Sequence, residues 1–233
     1  AELAAKQEPP IITFTDGPME VWGFRERWEL DTHQLQKYIS DYKEVLSRLC
    51  QLKVATAGYV DKPAANLVTR LLEVAATAEN ELSEIRQSKP FQGITDRDLF
   101  IELLAPAERS AVFAIQSQST KNYSEEFALF FFYLNVGNDS NSWPVRVEIP
   151  AWVAFDQEML ANLQAILVDQ CRIITTHPYP YLLHRAHETA LVSLQEKEQV
   201  TQMLIYELRK RGLKTGMRSP KQSMKELPEK TRL

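Results

Sequence analysis

Three of the four histidines, His177, His184 and His187, fall within eleven residues, beside the stretch His177-Pro178-Tyr179-Pro180-Tyr181. Imidazole can ligate a metal or move a proton near neutral pH, so this density is the first chemical signal. Pro180 suits the first turn of a helix and biases Tyr179 towards an extended conformation. That leaves Tyr179 just outside the helix and His187 about two turns into it, where both could face one cleft. His184 and His187 stand at i, i+3 and could share a metal, but no third ligand follows at a recognisable zinc spacing. Any one of these histidines taken alone is more often structural.

Asp16 is the best acidic candidate. It ends an apolar strand and is followed by Gly17, so its carboxylate is held at the sheet rim with backbone access for a ligand. A turn-capping aspartate is the competing reading. Asp61, in Gly58-Tyr59-Val60-Asp61-Lys62-Pro63, has the same strand-end placement, but the pattern before Pro63 favours a turn. Arg146 and Glu148 alternate on a strand, share a face and suit an ion pair. The consecutive aromatics Phe130, Phe131, Phe132 and Tyr133 belong in a core, since a base-stacking platform would put them on one face. The chain lacks a glycine-rich phosphate loop, a G-x-S-x-G elbow, H-E-x-x-H and C-x-x-C. A strand-borne aspartate with a Tyr/His pair fits divalent-metal chemistry with hard oxygen ligands and one imidazole, of which phosphodiester cleavage is the natural use.

The elements that must position these groups follow from periodicity. Ala1–Lys6 reads as the end of a helix stopped by Pro9 and Pro10. Ile11–Thr15 and Met19–Phe24 read as a β-hairpin with Asp16 at its tip. Apolar residues from Leu35 to Leu52 recur at helical spacing, with Thr32 as N-cap. A strand over Val54–Val60 leads into a helix expected over Ala64–Arg86, whose apolar stripe is Leu67, Leu71, Val74 and Ala78. Thr95 caps a short helix through Leu104. Ser110–Gln116, Phe127–Leu134 and Val145–Ile149 read as extended, the last two joined through Gly137-Asn138-Asp139-Ser140. Phe127–Leu134 is apolar at nearly every position, which predicts a central strand covered on both faces. Helices over Phe155–Cys171 and over Leu182–Arg211, broken near Glu196, complete a mixed α/β sheet flanked by helices, with a helical C-terminus.

Composition sets the outer bounds. The 233 residues are 44% apolar and 25% charged, enough for one sizeable core or two small ones. No apolar run approaches the length of a membrane-spanning helix, and seven glycines and twelve prolines exclude collagen-like or low-complexity classes. Cys50 and Cys171 are too few and too far apart for a disulfide framework, so they are expected to be unlinked and the protein to be reduced, cytoplasmic and without a membrane partner. Net charge is -4, yet residues 212–233 carry six basic side chains against two acidic ones, so the body before them carries -8. That tail cannot bury much apolar surface and reads as a flexible solvated segment, with phosphate gripping as the alternative.

Several stretches together resemble the NurA nuclease family. They are Phe14-Thr15-Asp16-Gly17-Pro18, Ala57-Gly58-Tyr59-Val60-Asp61-Lys62-Pro63, Glu108-Arg109-Ser110-Ala111-Val112-Phe113 and Phe131-Phe132-Tyr133-Leu134-Asn135-Val136-Gly137. The series continues with Val145-Arg146-Val147-Glu148-Ile149-Pro150-Ala151-Trp152 and with Tyr179-Pro180-Tyr181 leading to Arg185-Ala186-His187-Glu188. The ordered series runs from Asp16 to about Gly212.

The resemblance implies an RNase H-like fold over residues 1–211. It also implies a manganese-dependent DNA nuclease, with magnesium as an alternative ion, having 5′ to 3′ exonuclease and single-strand endonuclease activity. The partners it implies are DNA, a second copy of the chain and a HerA-type hexameric ATPase, in DNA end resection at double-strand breaks. Asp16 matches the family's second metal-binding aspartate, and Tyr179 and His187 match its tyrosine and histidine. On this resemblance Asp16 and His187 ligate the metal, and Tyr179 positions phosphate or water. The family's first aspartate, in an Asp-Gly-Ser strand, and its glutamate precede the position of Asp16, so the domain is expected to lack its N-terminal strands. A non-catalytic interaction module of a DNA-translocating ATPase complex is the alternative. A DNA-binding domain gripping through its basic tail is a third reading.

Overall fold

The protein was analysed as a computed structural model, which describes residues 1–8, 10–19, 32–82, 85, 91–116, 127–174, 177–190 and 194–212. The chain divides into two compact units, Ala1–Ala186 and His187–Leu233.

The first unit is built on one five-stranded mixed sheet in the order β1-β2-β5-β4-β3. Its strands are β1 (Ile12–Asp16), β2 (Ala55–Val60), β3 (Phe113–Ala114), β4 (Leu129–Asn135) and β5 (Pro144–Pro150). The α/β class expected from the alternation of periods is the class observed. β1 runs parallel to β2, in a register that sets Asp16 beside Tyr59. The other pairs are antiparallel.

Helices α1 (Thr32–Gln51), α2 (Leu67–Ala76) and α3 (Asp96–Leu103) belong to the unit with α4 (Ala151–Ala154) and α5 (Gln157–Ile173). The two-residue period of the strands sorts the side chains. Ala57, Tyr59, Phe132, Leu134, Val147 and Ile149 form the main core with Leu160, Leu163 and Leu167 of α5. On the opposite face Phe131 and Tyr133 meet Val68 of α2 and Phe100 of α3, while Leu129 meets Leu46 of α1. Phe132 and Tyr133 are completely buried, as expected of core aromatics, and burial of each such side chain stabilises by roughly 1.5–3 kcal/mol.

Several expectations need correction. β1, the first arm of the hairpin expected at Asp16, pairs in parallel with β2. Gly17 instead adopts φ 101 and donates its N–H to the Tyr59 carbonyl. The chain then crosses the sheet, where the Met19 N–H donates to Glu148 Oε2 at 2.8 Å. A side chain at Gly58 would meet the Gly17 carbonyl at 2.7 Å and the Met19 nitrogen at 2.8 Å, so the crossing needs glycine there. Residues 20–24 of the expected hairpin and the Thr32 side chain lie outside the described residues.

Within the range Ala64–Arg86 expected to be one helix, α2 spans Leu67–Ala76 and ends there, and residues 83, 84 and 86 lie outside the described residues. Thr77 becomes extended and its hydroxyl donates to the Glu73 carbonyl. Its apolar stripe also faces outward: Leu67, Leu71 and Val74 are 43–55% exposed, whereas Thr69 and Glu73 are buried. The central strand is β5, not β4, although β4 is covered on both faces. The helix expected over Phe155–Cys171 begins instead at Gln157, because the Asp156 side chain caps it through the Met159 N–H.

The second unit contains the end of α6 (Tyr181–Ala190), which starts in the first unit, and α7 (Leu194–Lys210). Glu196, where a break was expected, lies within α7, and residues 191–193 lie outside the described residues. On α7, Val200, Met203, Leu204 and Tyr206 are exposed. Of the expected basic tail, only Gly212 is described. No described helix is long and apolar enough to cross a membrane.

Candidate functional site

Asp16 ends β1 with its side chain exposed at the rim of the sheet. The parallel register places it level with Tyr59, and the Gly17 turn pins the strand end to β2. The Asp16 carboxylate stands close enough to the Tyr179 hydroxyl to raise its pKa. Tyr179 lies just before α6, in the extended position that Pro180 imposes.

The Tyr179 ring packs against the main core. Tyr59 meets it edge-on, with centroids 5.6 Å apart and planes at 86°. The Tyr59 hydroxyl in turn approaches Cys171 Sγ at 3.8 Å and the Pro178 carbonyl at 3.5 Å. Asp61 completes the group, one oxygen accepting the Trp143 indole N–H at 3.0 Å.

Burial, with the nearby Asp16 and Asp61 carboxylates, pushes the Tyr179 hydroxyl up to about 12. Burial also raises the Cys171 thiol to about 12, and the Tyr59 hydroxyl far above the usual tyrosine range. At neutral pH all three therefore keep their protons. Tyr179 faces Asp16 as a protonated phenol, and Cys171 is a packing thiol rather than a nucleophile. Cys50 and Cys171 form no disulfide.

On the other face of the sheet, Glu148 binds Met19 through one oxygen and the Arg146 guanidinium through the other, at 2.8 Å. The Arg146 guanidinium also lies near enough to the Tyr133 hydroxyl to act on its pKa. Tyr133 donates to Asp96 Oδ2 at 2.9 Å, and Asp96 accepts the Val68 and Thr69 N–H groups that open α2. Arg146 and Glu148 are thus the strand-face ion pair that their spacing suggests, within a buried network that ties α2 to the sheet.

The structure brings Asp16 and Tyr179 together. His187 lies on α6, exposed, as the first residue of the second unit. His177 and His184 pack ring against ring at 6.4 Å. Sequence reasoning missed Tyr59 and Cys171 as supports of Tyr179, and for Asp61 it favoured a turn over the strand-end carboxylate it also weighed. The two-residue period puts Tyr59 and Asp61 on one side of β2, a signal that was readable; nothing local announces Cys171.

Asp16 offers a hard oxygen donor of the type that manganese or magnesium takes. Among the described residues no group of three or more histidine, cysteine, aspartate or glutamate side chains could hold a metal ion. The described side chains therefore supply part of a ligand set and not a whole one.

No curated protein and no solved structure matches the chain. The model of the NurA domain matches residues 1–192, a span that holds the whole sheet, Asp16 and Tyr179, and the chain belongs to that nuclease family.

Proposed function

We propose that this protein is a metal-dependent DNA nuclease that hydrolyses phosphodiester bonds at the Asp16 rim. The observation that carries the reading is the exposed Asp16 carboxylate at the end of β1 with the Tyr179 hydroxyl close enough to feel its charge, in a chain of the NurA family. Asp16 contributes a carboxylate to the ion. Tyr179 holds that carboxylate in one orientation and keeps its own proton. When bound, Mn2+ or Mg2+ supplies an activated water and neutralises the leaving oxygen. The remaining ligands come from outside the described residues or from another chain. For His187, as metal ligand or proton carrier, the support is the Tyr179–His187 motif alone.

The finer parts of this reading are an RNase H-like core, 5′ to 3′ exonuclease and single-strand endonuclease activity, a homodimer, and work with a HerA-type ATPase in DNA end resection inside the cell. They rest on the family. A second reading is a non-catalytic interaction module, and the outward apolar stripe of α2 favours it. Leu67 and Leu71 line a cavity of about 600 Å3 with Phe113, Ile115 and Phe131, apolar surface that a partner could cover.

Degradation of end-labelled single- and double-stranded DNA, with manganese, magnesium or chelator, separates the two. Metal-dependent cleavage that disappears in Asp16→Asn supports the nuclease. A folded protein that cuts neither substrate with either ion leaves the interaction module.

A further inference from the structure

Where β2 finishes and β5 begins, two cations converge on one indole. Lys62 Nζ lies 5.7 Å from the Trp143 ring centroid, and the Arg97 guanidinium carbon lies 4.9 Å from it. Trp143 is itself fixed. Its backbone N–H donates to Asn135 Oδ1 at 2.9 Å, its carbonyl accepts from Val136, and its indole N–H donates to Asp61. The Asn135 carboxamide that anchors it is buried and also binds the Leu104 carbonyl and Ser142.

A ring face positions a cation without neutralising it, and leaves its N–H donors for an anion. Arg97 Nε is buried and has no hydrogen-bond partner among the described residues. Neither Lys62 nor Arg97 makes a direct ion pair among those residues. Two fixed cations on a protein of net charge -4 form a local positive site against an acidic background. Asp61 ties the cluster to the candidate active site, because the same carboxylate that holds the indole also acts on Tyr179.

We infer that Lys62, Trp143 and Arg97 form a phosphate-gripping subsite that holds a single DNA strand as it approaches Asp16 and Tyr179. The identity of the anion rests on the nuclease reading. The geometry suits backbone contact rather than base reading: fixed cations bind phosphate oxygens regardless of sequence, and the exposed edge of an indole offers apolar surface to sugars and bases.

The test is fluorescence anisotropy of a dye-labelled single-stranded oligonucleotide, in chelator and across a salt series. Proteins compared are the wild type, Lys62→Gln, Arg97→Gln, the double variant and Arg97→Lys. Each Gln variant is expected to weaken binding on the order of threefold to tenfold. Each should also lower the slope of log affinity against log salt by about 0.7, the double variant by twice that, with Arg97→Lys restoring the slope. Circular dichroism on the same samples checks folding. A folded double variant with wild-type affinity and slope overturns the subsite, as does a wild type that does not bind the strand. Cleavage with manganese, wild type against Asp16→Asn, is read in parallel. Binding that depends on Lys62 and Arg97 without any cleavage keeps the subsite and sinks the nuclease, whereas cleavage with binding indifferent to both does the reverse.

Discussion

The Tyr179 ring stands edge-on against the ring of Tyr59, with centroids 5.6 Å apart, so a completely buried residue of β2 positions the phenol that neighbours Asp16. The surroundings of a rim carboxylate are thereby set from inside the core. Such edge-to-face pairs contribute roughly 0.5–1.5 kcal/mol beyond their burial.

Tyr179→Phe keeps the ring and removes the donor. Metal-dependent cleavage is expected to fall about 10–100-fold, the usual effect of losing a group that orients a metal-binding carboxylate. Single-turnover cleavage rates and manganese titrations measure it, and an unchanged rate would remove Tyr179 from the site.

Asp16→Asn removes a charge that raises the Tyr179 pKa, so that pKa should move down from about 12. The sign for stability follows. A tyrosine whose folded pKa is raised contributes stability that is complete below its unfolded pKa, about 10, and is lost as pH rises through the folded value. Urea unfolding between pH 8 and 12 should show the wild type losing stability across that window. The alkaline loss should be smaller in Asp16→Asn, and ultraviolet titration of tyrosine absorbance reads the same shift directly. Identical alkaline limbs in both proteins would contradict the Asp16–Tyr179 contact.

Gly58→Ala puts a methyl group against backbone atoms of Gly17 and Met19 that have no rotamer to retreat into. Overpacking of this kind costs about 1–3 kcal/mol. Because the displaced chain leads directly out of Asp16, cleavage is expected to fall along with stability. Urea unfolding and the DNA degradation assay on one preparation test both.

Asp96→Ala strands four donors: the Val68 and Thr69 N–H groups, the Thr69 hydroxyl and the Tyr133 hydroxyl. Asp96 is fully buried, so the loss should reach about 3–5 kcal/mol, seen as a lower urea midpoint. A loss under about 1 kcal/mol would show that water reaches these groups.

Thr95→Ala removes a capping box in which Thr95 and Asp98 exchange hydrogen bonds, at a cost of about 1 kcal/mol. Hydrogen bonds from Thr95 hold the Asp98 carboxyl below its ordinary range. A depressed carboxylate contributes stability that is present above the unfolded pKa, near 4, and is lost as pH falls through the folded one. The wild type should therefore lose its advantage over Thr95→Ala on acidification, which paired thermal melts from pH 7 to pH 2 would reveal.

The elements themselves were largely legible. Thr95 and Asp98 announce their helix within four residues, and the apolar run Phe127–Leu134 announces a strand buried on both faces. Such signals are local: a cap, a period of two, a period of 3.6. Helix α2 shows where that reasoning stops. Leu67, Leu71 and Val74 have the spacing of a buried stripe, yet they point outward because Asp96 and the Tyr133 network capture the opposite, polar side of the helix. Periodicity reveals that a helix has two faces and not which one a distant partner will claim.

The candidate site divides in the same way. Residue types and local spacing by themselves determined a rim aspartate after an apolar strand, a tyrosine held extended by Pro180, a histidine two turns into the helix, and the ordered motifs of the NurA family. Only the tertiary structure decided that β1 pairs in parallel with β2, that the Met19 N–H reaches Glu148, and that Tyr179 stands beside Asp16 and packs against Tyr59. These contacts join segments far apart in the chain, so their energies depend on burial and on which donor meets which acceptor. Both quantities exist only once the sheet has closed around its core.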